Sequence, residues 1–180
     1  MTAPARDRLL DAAARLFYDR GIAATGIDAV IAEAGVARMS LYNTFGSKAG
    51  LVAGYLEARH AEWLGLYAAR VADIVEDDHR GRVLAVFDAY ADHAESGYEH
   101  GFRGCGLLNA AAELPVGDPG RDAVRAHKEQ VESILAEHAP EHAEHLSFLL
   151  EGSITRAGLE GDSTRIAHAR TLAATLLDRG

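Results

Sequence analysis

The 180-residue chain carries 18 Lys and Arg against 27 Asp and Glu, a formal charge of −9, and one cysteine, Cys105. That length suits one domain, or a small module joined to a larger one, and can bury a core without disulfides or structural metal. The lone thiol excludes an internal disulfide and fits a reducing compartment. No apolar run approaches the roughly 20 residues that cross a bilayer. Asp7 and Asp11 interrupt what would be the apolar stretch of a signal peptide. A cytoplasmic protein without membrane contact is therefore expected. The charge is unevenly placed. Residues 1–50 hold six cations (Arg6, Arg8, Arg15, Arg20, Arg38, Lys48) and five anions (Asp7, Asp11, Asp19, Asp28, Glu33), leaving 12 cations and 22 anions for residues 51–180. An acidic total does not exclude a nucleic-acid partner when the acidity sits in one part of the chain.

From Ala5 to about Arg20, Leu9, Ala13 and Leu16, with Leu10 and Phe17, recur at helical spacing, and Gly21 stops the helix. A second helix is predicted over Ile27–Ala34, with Gly35 supplying the positive φ of a tight helix–helix turn. A third runs from about Ala37 to Phe45 and buries Leu41 and Phe45. Ser47 is a candidate N-cap for a long helix reaching about Ile74. Further helices are predicted over Arg82–Ser96 (ended by Gly97), Cys105–Leu114, Arg121–His138, Glu141–Leu159 and Thr164–Asp178. No strand pattern appears. The fold class is all-α, about nine helices.

The third helix carries the chemistry. A helix fits the major groove of B-DNA, where base edges present a readable pattern of donors and acceptors. Opposite Leu41 and Phe45 stand Met39, Ser40, Tyr42 and Asn43, with Arg38 at the start. Arg38 suits guanine or a phosphate, Asn43 a base edge such as adenine, and Met39 a thymine methyl. Tyr42 and Ser40 suit phosphates, which fix register rather than sequence. Lys48 sits in the first turn of the long helix, where the macrodipole disfavours a cation. A phosphate beside that helix end would offset the cost.

The stretch LLDAAARLFYDRGIAATGIDAVIAEAGVARMSLYNTFGSKAGLV resembles the N-terminal DNA-binding domain of the TetR/AcrR family of transcriptional regulators. The matching elements are the A-A-x-x-L-F helix with Gly21, the Ala24-Thr25 step and the helix Ile27–Ala34. The turn Ala34-Gly35-Val36, then Leu41-Tyr42, Phe45 and Ser47-Lys48, follow in register. The resemblance implies a helix-turn-helix domain over residues 1–47 and a helical ligand-binding and dimerisation domain over 48–180. It implies homodimers on palindromic double-stranded DNA operators, with repression relieved by a small-molecule effector whose identity the sequence does not specify. DNA contact then falls on Thr25, Arg38, Met39, Ser40, Tyr42, Asn43 and Lys48. Gly26 stands where the family has a capping Ser or Thr, a role open to Thr25. Met39 replaces the usual Gly, and Ala49-Gly50 replace an acidic pair.

In the remainder, a ligand cavity is expected among Trp63, Tyr67, Phe87, Tyr90, His93, Tyr98, Phe102, Cys105, Leu107, Leu108, Asn109, His127 and Phe148. The plain reading of any one of these is core packing. Leu146, Leu150 and Ile154, and Ile166, Ala169, Ala173 and Leu176, follow 3-4 spacing. That pattern permits ordinary core packing or a two-helix face that pairs with its own copy, and the resemblance favours the second as the dimer interface. Cys105 reads as a buried small hydrophobe before a redox switch. His138, His142 and His145 invite a metal reading, but Pro140 breaks their spacing, so no metal or cofactor is expected. No glycine-rich phosphate loop, nucleophile elbow or deaminase-type Cys/His pattern is present, and no enzyme is expected. The expected function is ligand-responsive transcriptional repression. The alternatives are a helix-turn-helix regulator without small-molecule input, controlled by a partner or constitutive, or an activator.

Overall fold

The computed structural model describes residues 3–96 and 100–178. Gly97 and Tyr98, which carry two of the expectations above, lie outside the described residues. The regular structure of the described residues is helical throughout. It comprises α1 (Ala5–Arg20), α2 (Ile27–Ala34), α3 (Arg38–Phe45), α4 (Lys48–Val71) and α5 (His79–Ala94), then α6 (Gly106–Glu113), α7 (Pro119–His138), α8 (Ala143–Glu160) and α9 (Thr164–Leu177).

Local chemistry sets the ends of these helices. Gly35 adopts φ 59°, and its N–H and that of Val36 return to the carbonyls of Ala32 and Ile31. These bonds satisfy the last carbonyls of α2 and turn the chain sharply into α3. The Ser47 hydroxyl accepts from the Gly50 amide at 3.1 Å, the expected cap of α4. The start of α5 lies three residues before the predicted Arg82 because the Asp78 carboxylate accepts from the Gly81 amide at 2.7 Å. Asp118 does the same for Gly120 at 2.7 Å, so α7 begins on Pro119, a residue whose missing N–H costs nothing at the first helical position.

By internal contacts the chain divides into two compact units, Met1–His60 with Gly106–Val124, and Ala61–Cys105 with Arg125–Gly180. Helices α4 and α7 contribute residues to both. In the first unit α1 packs on α2, α3 and α6. Leu9, Leu10, Leu16, Phe17, Val30, Leu41, Leu51 and Tyr55 are buried there, and the Phe17 and Tyr55 rings meet edge to face at 5.4 Å. Arg8 donates to the Gly35 carbonyl at 2.8 Å and Arg15 pairs with Glu33 at 2.9 Å, so α1 holds both the turn and the flank of α2.

In the second unit α9 packs on α5 and α8 around Val86, Phe87, Leu135, Leu146, Leu150, Ile154 and Ile166. Burying each such side chain contributes on the order of 1.5–3 kcal/mol. Gly158 allows a close backbone approach. A Cβ there would lie 2.5 Å from the Gly104 nitrogen, so α8 and the strap before α6 can touch only without one. Arg170 pairs with Asp88 at 2.6 Å and Arg80 with Asp178 at 2.8 Å, tying α9 to α5 at two points along its length.

Candidate nucleic-acid interface

Helix α3 is two turns long and buries only Leu41, with Phe45 half-buried behind it. Its opposite face stays out. Met39 is 63% exposed and Tyr42 38%, and Arg38 and Asn43 are exposed beside them, while Ser40 is half-buried. No side chain of the N-cap residue Ala37 caps α3, and the Ser40 amide returns to the Ala37 carbonyl at 2.9 Å. Gly46 at φ 73° ends the helix, its N–H returning to the Tyr42 carbonyl at 2.9 Å. In this state Arg38 pairs with Asp28 of α2, both largely exposed. An exposed ion pair of this kind is worth little, and a phosphate or guanine can replace the aspartate.

Two expected contact residues are placed differently. Thr25 is only 1% exposed, and its hydroxyl is turned inward to the carbonyls of Gly21 at 2.7 Å and Leu16 at 3.3 Å. The expectation that its side chain touches DNA or caps α2 is corrected on that ground. The single hydroxyl hydrogen is already engaged, and the N-cap of α2 is Gly26 with no side-chain bond. The Lys48 ammonium is half-buried and donates to the Ile22 carbonyl at 2.6 Å. With three N–H donors it retains capacity for a second acceptor. On the other side of the same peptide region, the Ile22 and Ala23 amides donate to the Glu113 carboxylate at 2.8 and 2.7 Å. Glu113 was not expected from the sequence, because nothing local to α6 marks a partner so far away along the chain. Gly50 has a steric reason. A Cβ there would sit 2.0 Å from the Phe45 carbonyl oxygen, so no side chain fits this backbone.

Residues 9–55 match the sequence model described as bacterial regulatory proteins, tetR family. The fold matches that of a TetR-family transcriptional regulator from Streptomyces coelicolor with a TM-score of 0.83 and 32% identity, covering 97% of this chain and 88% of that one. The chain belongs to the TetR family of transcriptional regulators. A second TetR structure, from Streptomyces avermitilis, is 29% identical with a TM-score of 0.73, covering 98% of this chain and 99% of that one. Among curated proteins, the HTH-type transcriptional activator FasR of Mycolicibacterium smegmatis is 38% identical over 96 residues, 52% of this chain and 43% of FasR. AlkX of Mycobacterium tuberculosis is 32% identical over 111 residues, 62% of this chain and 45% of AlkX. The chain thus spans less than half the length of these curated relatives. They are regulators and not enzymes, and no helix among the described residues is long and apolar enough to cross a membrane.

Within this TetR-family chain the second unit gathers most of the expected cavity residues. Trp63 stacks on Tyr67 with centroids 5.7 Å apart, lies 5.2 Å from the Tyr90 ring, and meets His127 edge-on at 5.5 Å. The Tyr90 hydroxyl is 3.1 Å from His127 Nε2 and accepts from Lys128 at 3.2 Å, and Lys128 pairs with Glu151 at 2.8 Å. Burial pushes the Tyr90 and Tyr67 hydroxyls up from their ordinary value, so both stay protonated. The indole Nε1 of Trp63 is buried and has no hydrogen-bond acceptor. Phe87, His93, Phe102 and Cys105 are buried in the same unit, His93 and Phe102 edge to face at 6.4 Å. Lys128 and Glu151 were not foreseen, although a lysine and a glutamate on neighbouring amphipathic helices are the signal that could have found them.

Two expectations fail in this region. Phe148 is 68% exposed on α8, so it faces solvent and lines no interior space. Leu108 and Asn109 belong to the first unit, where Asn109 is exposed. Leu146, Leu150, Ile154, Ile166, Ala169 and Ala173 are at most 3% exposed within a single chain, and Leu176 is partly covered. They form the subunit's own core and cannot also be the surface offered to a second copy. The outward face of the same helices instead carries Phe148 and Leu159 on α8 and Leu172 on α9. His138 pairs with His79, Nδ1 to Nδ1 at 3.0 Å, and no group of three or more metal-ligating side chains forms among the described residues.

Proposed function

We propose that this protein is a homodimeric transcriptional repressor that binds a palindromic double-stranded DNA operator through α3. The observation that carries the reading is the outward face of α3, with Arg38, Met39, Tyr42 and Asn43 exposed on a helix short enough to enter the major groove. Asn43 and Met39 read base edges, Arg38 exchanges Asp28 for DNA, and Tyr42, Ser40 and Lys48 set register on phosphates. Residues 1–47 act as the DNA-binding part and 48–180 as the effector and dimer part. Dimerisation uses the outward faces of α8 and α9, with Phe148, Leu159 and Leu172, in place of the buried stripe.

A small effector binds at the cluster of Trp63, Tyr67, Tyr90 and His127, where the acceptorless indole N–H supports a ligand carrying a hydrogen-bond acceptor. Because α4 contributes to both units, ligand binding shifts it and changes the separation of the two α3 helices, which must match half-sites about 34–36 Å apart. Activation is the second reading, favoured by the word activator in the name of FasR. Fluorescence anisotropy with DNA from upstream of the protein's own gene tests the proposal. Saturable binding that Tyr42→Ala with Asn43→Ala removes is expected, and equal binding by the double variant contradicts it.

A further inference from the structure

The first unit contains a cavity of about 350 Å³ that the effector reading does not use, lined by Ile22, Lys48, Ala49, Val52, Ala53, Leu114 and the Asp118–Gly120 turn. Its size lies in the range that holds small molecules. The walls are aliphatic, apart from two charged side chains. One is Asp118, whose Oδ1 accepts from the Gly120 amide at 2.7 Å at the start of α7 and whose negative charge stands on the turn side of the cavity, so an anionic head group must lie toward the opposite charge. The other is Lys48, whose ammonium has a backbone carbonyl, that of Ile22, as its acceptor at 2.6 Å. A neutral carbonyl is a weaker partner for an ammonium than a carboxylate is.

We infer that this cavity is a second binding site, for a small amphipathic carboxylate whose chain lies against Val52, Ala53 and Leu114 and whose head group takes the Lys48 ammonium. The site lies apart from the aromatic cluster and within the unit that carries α3. Its occupation has a defined consequence. The Ile22 segment is held from two sides, by Lys48 on its carbonyl and by Glu113 on the amides of Ile22 and Ala23. A carboxylate on the ammonium shares it with the Ile22 carbonyl and so draws on one of these two holds just before Thr25 and α2. It also competes with operator phosphate for the same cation. Carboxylate and DNA therefore oppose one another, and the opposition is reciprocal.

The test uses sodium decanoate as the probe, with decanol and decylamine as controls, on the full chain with methyl-labelled Ile, Leu and Val observed by NMR. Decanoate is expected to shift the Ile22, Val52 and Leu114 methyls saturably. Decanol should bind about tenfold more weakly, the loss of one charge-assisted hydrogen bond. Ala53→Trp, at an exposed position of α4, should fill the space and abolish the shifts, with Ala49→Leu as the milder filling variant should the first not fold. These arms need no DNA, so their outcome is independent of the operator reading. In their presence, decanoate should weaken operator binding by the wild type and not by the filled variant. Equal binding of decanol or decylamine, or shifts confined to methyls of residues 61–105 and 125–178, would overturn the inference.

Discussion

Helix α3 buries one leucine and shows most of its side chains, whereas α8 and α9 bury a continuous apolar stripe and show a second, sparser one. On α3 the exposed residues are Arg38, Met39, Tyr42 and Asn43, and the buried one is Leu41. On α8 and α9 the buried residues include Leu146, Leu150, Ile154, Ile166 and Ala173, and the exposed large apolar ones are Phe148, Leu159 and Leu172. The difference teaches where to look for partners. A regular apolar stripe reports the face a helix gives to its own subunit, and a second chain or a DNA groove must use the opposite face. Sparse exposed side chains such as Met39 and Phe148 are then the more telling residues.

The largest effect should separate the two faces of α8. Leu150→Ala, at a fully buried position, should cost about 2–5 kcal/mol in denaturant unfolding, because the packed helices around it cannot close the cavity. Phe148→Asp with Leu172→Asp should leave helix content by circular dichroism unchanged and convert a dimer to a monomer in sedimentation. If the double variant still sediments as a dimer, the outward face has been misassigned. On α3 the sign is reversed, since outward residues matter for binding and little for folding. Asn43→Ala should weaken operator binding by about 1–3 kcal/mol and relax preference at one base position, while the thermal midpoint stays put.

A smaller effect tests the inward placement of Thr25. Thr25→Val removes the bonds to Gly21 and Leu16 and should destabilise the fold by about 0.5–1.5 kcal/mol, with operator affinity intact in the folded fraction. Affinity lost without stability would instead restore Thr25 as a contact. The smallest effect is a pH dependence in the second unit. Burial holds the His138 imidazole below its ordinary value of 6.5, opposed by Glu137 and assisted by His79 and Arg82. The unfolded chain then binds the proton more readily, so stability falls as pH drops below about 6.5 and is flat above it. His138→Gln should flatten the wild-type slope over about pH 5 to 7 in urea melts.

Much of the fold is legible because local chemistry decides it. The ends of α1 and α2 follow from Gly21 and Gly35, whose backbones supply positive φ at the predicted stops. The starts of α5 and α7 were placed late, because Asp78 and Asp118 were read as loop polarity and not as caps. At the candidate interface, the outward face of α3 was readable from spacing alone. Glu113 was not, since its partners at Ile22 and Ala23 are 91 and 90 residues away and no periodicity encodes such a distance. The inward rotation of the Thr25 hydroxyl escaped for a related reason. Its acceptors are backbone carbonyls of α1 and of the Gly21 that ends it, which carry no sequence signature.

On the proposed function, the outward face of α3 reads DNA. Its most direct test is selection of sequences from a random DNA pool by the wild-type chain and by the chain with both Tyr42→Ala and Asn43→Ala. The wild type is expected to enrich a two-fold-symmetric sequence with half-sites about one helical turn apart, and the double variant to enrich nothing in common with it. Enrichment of the same sequence by both proteins would contradict the proposed function.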